Sequence, residues 1–156
     1  GILWNNEMDD FSAKPGVANS FGLIGGAANA IEPGKRPLSS MTPTIVFKGG
    51  RPLLATGSPG GSRIITTVLQ VVSNVIDHKM DIGRATALPR FHHQWRPDYL
   101  RVEPGFSADT LSILKNRGHK IRKTGLMGST QSIMFIDDGF SGASDPRRRD
   151  ALTHGY

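Results

Sequence analysis

Three short stretches carry groups suited to chemistry. Glu7-Met8-Asp9-Asp10 sets three carboxylates within four residues. Turned inward, Glu7 and Asp10 could hold a cation such as an ammonium group through charge-assisted hydrogen bonds; turned outward, they are an acidic surface turn. Pro37-Leu38-Ser39-Ser40-Met41-Thr42-Pro43 places paired hydroxyls in a proline-stiffened segment. That segment suits either hydrogen bonding to a carboxylate or ordinary turn chemistry with nearby backbone. Gly57-Ser58-Pro59-Gly60-Gly61-Ser62-Arg63 joins a β-type run to a helical run. A glycine turn at a helix start gathers free backbone N–H groups and partial positive charge at one spot. Such a spot suits a phosphate, a carboxylate or a tetrahedral oxyanion, and the alternative is a tight turn with no ligand.

A cation holder, a carboxylate holder and an oxyanion holder together fit a substrate with α-amino and α-carboxylate groups and a reacting carbonyl further along. A nucleophile is missing. Neither Ser39 nor Ser40 has a His–Asp partner at a recognisable spacing. Cysteine is absent, which excludes thiolate nucleophiles, disulfides and thiolate metal sites. No lysine follows Gly60-Gly61, so the loop is not a nucleotide-binding P-loop. In Phe91-His92-His93-Gln94-Trp95 the adjacent histidines point in different directions on a strand, which favours buried, hydrogen-bonded roles over metal ligation. No cofactor or metal site is read.

The elements that must position these groups follow from pattern. Ile2-Leu3-Trp4 reads as a short buried strand entering the acidic turn. Pro43–Phe47 and Pro52–Thr56 flank Gly49-Gly50 as a hairpin. After Ser62, apolar residues at 64, 65, 68, 72, 75 and 76 form a helical stripe ending near His78. A second helix covers Asp81–Ala87, stopped by Pro89. Ser107 caps a third through Asn116, with Gly118 just beyond its end. Lys120–Lys123 and Gln131–Ile136 read as strands, and Asp137-Asp138-Gly139 turns into Phe140–Ala143. Residues 12–37 lack periodicity and are rich in Gly, Ala, Asn and Pro, the mark of a long binding loop or lid. Hairpins alternating with helices predict α+β layers in one domain over residues 1–156.

The bulk numbers are permissive. With 156 residues, 37% hydrophobic and 21% charged, the chain can bury a core. No apolar run reaches membrane-spanning length. The net charge of +6 allows a basic binding module, for example for nucleic acid, built on Arg147-Arg148-Arg149. Few aromatics interleave with the basic residues, which favours a solvated face. An apolar start at Gly1-Ile2-Leu3-Trp4 looks like the middle of a strand, so the N-terminal part of the fold is expected to lie elsewhere.

Several long motifs in order carry a resemblance. They are Asn5–Ser12, Lys35–Thr44, Gly57–Arg63, Pro89–Trp95, Gly128–Ser132 and Gly142–Arg147. Together they closely resemble the small subunit of bacterial γ-glutamyltranspeptidase, essentially end to end. The resemblance implies an N-terminal-nucleophile hydrolase with an αββα sandwich, of which this chain supplies part. It implies a zymogen that cuts itself into a large and a small subunit, which form a heterodimer. The N-terminal threonine of the small subunit attacks a γ-glutamyl amide, typically of glutathione. Water, or an amino-acid or peptide amine, resolves the acyl-enzyme.

By the same resemblance Glu7 and Asp10 bind the α-amino group, Ser39 and Ser40 the α-carboxylate, and Gly60 and Gly61 form the oxyanion hole. Residues 15–29 form a lid, with Phe21 where well-known bacterial members have a gating tyrosine. The catalytic threonine and its supporting strands are not in this sequence. The chain alone is therefore expected to be inactive, with a nucleophile-bearing segment and a large subunit as partners. The resemblance implies a periplasmic or secreted location, with no nucleic acid or membrane as partner. A related acylase, such as one acting on cephalosporin side chains, shares the fold and the threonine chemistry; the intact Glu7, Asp10, Ser39 and Ser40 argue for glutamyl substrates.

Overall fold

A computed structural model describes residues 1–2 and 4–155. By contact density the chain resolves into two compact units, Gly1–Ser40 and Met41–Tyr156.

The first unit is mostly loop, held by two short 3₁₀ turns, Glu7–Asp10 and Ala27–Asn29. Phe11 is its buried anchor. A parallel bridge pairs Ser12 with Ala30, and an antiparallel one pairs Ala18 with Ile24. The Gly16 N–H donates to the Gly25 carbonyl at 2.9 Å and closes the neck of the 15–29 loop. At its tip the Asn19 side chain accepts from the N–H groups of Phe21 and Leu23, both at 3.0 Å. This asparagine does locally what a β-turn does with backbone.

The expected strand at Ile2-Leu3-Trp4 is not borne out at its ends. Ile2 and Trp4 lie 84% and 89% exposed outside any strand, and Leu3 falls outside the described residues. A short apolar run becomes a strand only where a neighbour satisfies its backbone, and among the described residues none pairs with it.

The second unit is built on a four-stranded antiparallel sheet of β1 (Thr44–Lys48), β2 (Arg51–Gly57), β6 (Gln131–Ile136) and β7 (Gly139–Ser144), in the order β1-β2-β6-β7. The register places Leu54 opposite Val46 and Met134. These residues pack with Val71 and Val75 of α1 (Ile64–Ile76) and Ile82 and Ala85 of α2 (Ile82–Ala87). The alternate residues Ile45, Ala55 and Ile133 are also in register, on the opposite face. Ile45 and Ile133 are 61% and 47% exposed.

Helix α1 is rich in β-branched residues, which favour helix only weakly. Burial of Ile64, Thr67, Val68, Val71 and Val75 along one face holds it. Asp81 caps α2 by accepting from the Arg84 N–H at 2.8 Å. Ser107 caps α3 (Ala108–Asn116), and Gly118, at φ +92°, ends it as expected.

A second sheet, unforeseen as a sheet, orders β3 (Phe91–His92), β4 (Leu100–Val102) and β5 (Ile121–Lys123) side by side. β5 is legible as a strand, and β3 only as the strand on which His92 and His93 would alternate. Two- and three-residue strands are too short to show an alternation, and β4 pairs in parallel with a strand 21 residues further on.

Candidate functional site

Glu7 and Asp10 share one 3₁₀ turn, Glu7 exposed and Asp10 half-buried. The turn is fixed by the Asp9 N–H to the Asn6 carbonyl at 3.0 Å and by the Asn29 Nδ2–H to the Asp10 carbonyl at 2.7 Å. Ser39 is exposed and Ser40 half-buried, on an extended stretch at the end of the same unit. The stretch is tied to Asn29 as well, through the Leu38 N–H. Phe21, on the 15–29 loop, is 46% exposed.

In the second unit, Gly60 and Gly61 form the link from β2 to α1. Gly60 adopts φ +147° and Gly61 φ +56°, in the region open to glycine. Gly61–Arg63 makes a single 3₁₀ turn that runs directly into α1. Among the described residues the Gly60 and Gly61 N–H groups have no protein acceptor. Two orphan donors at the start of a 13-residue helix, with the macrodipole behind them, make a place for developing negative charge.

Two hydrogen-bonded braces hold this loop. On one side Ser58 Oγ accepts from the Ser129 N–H at 3.0 Å. Gly128 packs so closely there that a Cβ would sit 2.7 Å from Ser58 Oγ. On the other side Ser62 Oγ donates to Gln94 Oε1 at 2.9 Å, and Gln94 Nε2 donates to the Arg96 carbonyl at 3.0 Å. His92 Nε2 lies 2.8 Å from the same Gln94 oxygen, and its Nδ1 lies 2.8 Å from Thr66 Oγ1 on α1. An amide oxygen only accepts, so His92 carries a proton on Nε2. Burial lowers the His92 pKa from its ordinary value, helped by the charges of Arg101, Arg63 and His93 and opposed by the Gln94 hydrogen bond. The ring is therefore a buried structural brace whose charged form is disfavoured, as the sequence suggested. His93 is exposed instead, and its Nδ1 accepts from the Trp95 N–H at 3.0 Å.

Behind the Ser129 brace lies a buried ionic network. Asp145 takes Arg90 at 2.6 Å, Arg147 at 3.0 Å and the Thr130 N–H at 2.8 Å. Glu103 accepts from the N–H of Arg90 and Met127 and from the Arg147 guanidinium. Arg90 also reaches the Met127 carbonyl at 2.8 Å. The 127–130 segment that buttresses the glycine loop is thus anchored at both ends. Arg147 has only 6% of its side chain exposed, whereas Arg148 and Arg149 are exposed, so the tri-arginine run is a solvated basic face only in part. Among the described residues no group of three or more His, Asp or Glu could hold a metal ion, and no helix is long and apolar enough to cross a membrane.

The sequence model of the gamma-glutamyltranspeptidase family matches residues 1–154. This chain belongs to the γ-glutamyltranspeptidase family. It is 65% identical over 157 aligned residues to the glutathione hydrolase proenzyme of Escherichia coli strain K12, covering 100% of this chain and 27% of that protein. The chain therefore spans about a quarter of the length of that curated relative. A crystal structure of a Helicobacter pylori gamma-glutamyltranspeptidase mutant superposes with a TM-score of 0.90 at 56% identity, over 95% of this chain and 82% of that one. The cephalosporin acylase of Bacillus halodurans is more distant, with a TM-score of 0.69 and 31% identity over 76% of this chain and 23% of that one. The α+β layers are those of the N-terminal-nucleophile hydrolases.

Within this γ-glutamyltranspeptidase chain, three sets of residues escaped sequence reasoning: the Arg90–Glu103–Asp145–Arg147 network, the Ser58–Ser129 contact and the Ser62–Gln94–His92–Thr66 brace. Their motifs were visible, since Pro89–Trp95, Gly128–Ser132 and Gly142–Arg147 carry the resemblance. Their pairing was not, because most of it joins residues 13 to 71 positions apart.

Proposed function

We propose that this chain forms part of a γ-glutamyltransferase and glutathione hydrolase, supplying glutamyl-binding groups and the oxyanion hole. The observation that carries the proposal is the pair of orphan N–H groups on Gly60 and Gly61 at the start of α1. Membership of the family supplies the reaction. A threonine on sequence outside this chain attacks the γ-carbonyl of the donor, its proton passing to its own N-terminal amine. A C–O bond forms and the carbonyl oxygen becomes an oxyanion, which the Gly60 and Gly61 N–H groups stabilise. Collapse breaks the C–N bond and releases the amine with a proton. Water or an amino-acid or peptide amine then attacks the acyl-threonine and frees it.

In this proposal Glu7 and Asp10 hold the α-ammonium group, and Ser39 and Ser40 the α-carboxylate. Residues 15–29 act as a lid carrying Phe21, whose ring excludes solvent but cannot hydrogen-bond as a tyrosine would. The partners are a nucleophile-bearing segment and a large subunit. The face of the large sheet that bears Ile45 and Ile133 is the apolar surface that a second sheet of an αββα sandwich would cover. The location is periplasmic or secreted.

The test is release of nitroaniline from a γ-glutamyl anilide by the complete enzyme, with L-glutamate as competitor. Turnover inhibited by L-glutamate is expected. Absence of turnover overturns the activity. Turnover insensitive to L-glutamate, and retained on an anilide whose acyl group lacks the α-amino group, transfers the chain to the acylase reading.

A further inference from the structure

One side chain holds the two glutamyl-binding stretches of the first unit together. Asn29 Nδ2 donates to the Asp10 carbonyl at 2.7 Å, and Asn29 Oδ1 accepts from the Leu38 N–H at 3.1 Å. The partners decide which end of the amide is which, since a carbonyl needs a donor and an N–H needs an acceptor. The Asn29 backbone is pinned too. Its carbonyl accepts from the Ser12 N–H at 2.8 Å, and its N–H donates to the Gly26 carbonyl at 3.2 Å. Asp10 lies 19 residues before Asn29 and Leu38 nine residues after it. A single planar, half-buried amide therefore spans from the carboxylate turn to the residue that precedes Ser39.

We propose that Asn29 is a positioning residue that sets the spacing between the ammonium-binding turn and the carboxylate-binding serines, and so selects acyl groups that carry both charges on one carbon. The proposal rests on the reading of Asp10, Ser39 and Ser40 given above. The two stretches are loops, with little regular structure to fix their separation. An α-amino-acid head presents its ammonium and carboxylate at a fixed separation. Two recognition groups reinforce each other only if their spacing matches that separation before the ligand arrives; otherwise binding must first order the loops. The amide makes that spacing a property of the free protein. It touches backbone at both ends, so the link itself uses neither the Asp10 carboxylate nor the Ser39 hydroxyl.

The test compares three competitors of γ-glutamyl-anilide turnover in the complete enzyme. L-Glutamate carries both α groups, glutarate lacks the α-amine, and 4-aminobutyrate lacks the α-carboxylate. In an Asn29→Ala variant the inhibition constant of L-glutamate should rise about tenfold, the loss of two hydrogen bonds of ordinary strength. The constants for glutarate and 4-aminobutyrate, which each engage one stretch, should stay within about twofold, since the bonds lost set spacing rather than contact either ligand. Asn29→Asp is isosteric and keeps only the Leu38 bond, so it should give the same pattern without a cavity.

An unchanged L-glutamate constant in both variants overturns the proposal, as does an equal weakening of all three ligands. Asp10→Ala separates the two levels of inference. If it weakens L-glutamate but not glutarate, the pocket reading stands and the Asn29 variants judge the spacing role alone. If it weakens neither, the pocket reading has failed and the spacing role falls with it.

Discussion

Arg90 and Asp145, 55 residues apart in sequence, meet at 2.6 Å with side chains 3% and 0% exposed. The pair fastens the segment after β7 to the chain entering β3. Through Thr130, whose N–H donates to the same carboxylate, it also fastens the turn that braces the glycine loop. A buried pair of this kind is a weak source of net stability when intact, but breaking it leaves an uncompensated charge. Arg90→Ala or Asp145→Ala should therefore cost about 3–5 kcal/mol, read by urea unfolding. Asp145→Asn keeps a shape that can still accept from Thr130 and should cost less. Equal stability of Asp145→Ala and the parent would exclude this anchoring role.

The same network sets the acid limit of stability. Burial alone would raise the pKa values of Glu103 and Asp145. The Arg147 side chain and the Met127 and Arg90 N–H groups outweigh it at Glu103, and the Arg147 and Thr130 N–H groups with Arg90 do so at Asp145. Both carboxyls are held below their ordinary values of 4.5 and 3.8. The unfolded chain thus binds protons first as pH falls, so their stabilisation is complete above about pH 4.5 and drains away below it. Unfolding free energy measured from pH 7 to 3 should fall along that limb. Glu103→Gln should start lower at pH 7 and fall less steeply.

Legibility followed the range of the interaction. Helix α3 could be written down from Ser107, Asn116 and Gly118 because capping is local, and the β1–β2 hairpin from Gly49-Gly50 for the same reason. The Gly60-Gly61 loop announced itself because only glycine takes its backbone angles cheaply. Strand β4 was hidden and β3 had no legible ends, since neither has the length to show a period. Ile2 and Trp4 misled because an apolar run says what a segment could bury, not whether a partner strand lies beside it. Asn29, Gln94 and Asp145 were ordinary polar residues in the sequence. Their importance lies in what they join, and a pairing across tens of residues leaves no local signal.

Gly128 tests how tightly the glycine loop is braced. Its φ is +70°, and an added Cβ would meet Ser58 Oγ at 2.7 Å and Thr67 Cγ2 at 3.0 Å. Thr67 is 1% exposed and has no room to withdraw, so Ser58 must move and its bond to Ser129 must break. Gly128→Ala should cost about 1–3 kcal/mol from overpacking, with about 1 kcal/mol or more from the left-handed backbone. Gly125→Ala meets nothing within 4 Å and should lie within about 0.5 kcal/mol of the parent. Calorimetry on the two variants side by side gives the answer, and equal melting temperatures would remove the brace.

The opposite brace offers a kinetic test. Ser62 immediately follows Gly61 and donates to Gln94, which is also fixed by Arg96 and His92. Losing the Ser62–Gln94 bond leaves the Gly60 and Gly61 donors in place but lets their peptide planes rotate. That rotation weakens the hold on an oxyanion, which exists only in the transition state, and leaves ground-state binding intact. Ser62→Ala and Gln94→Ala should therefore lower kcat by about 10- to 100-fold, short of the loss expected for deleting an oxyanion donor outright. KM for the γ-glutamyl anilide should change little. Because the two residues act through one bond, the double variant should be no worse than the poorer single one. A rise in KM at constant kcat would place these side chains in substrate binding instead, and additive losses would show that they act separately.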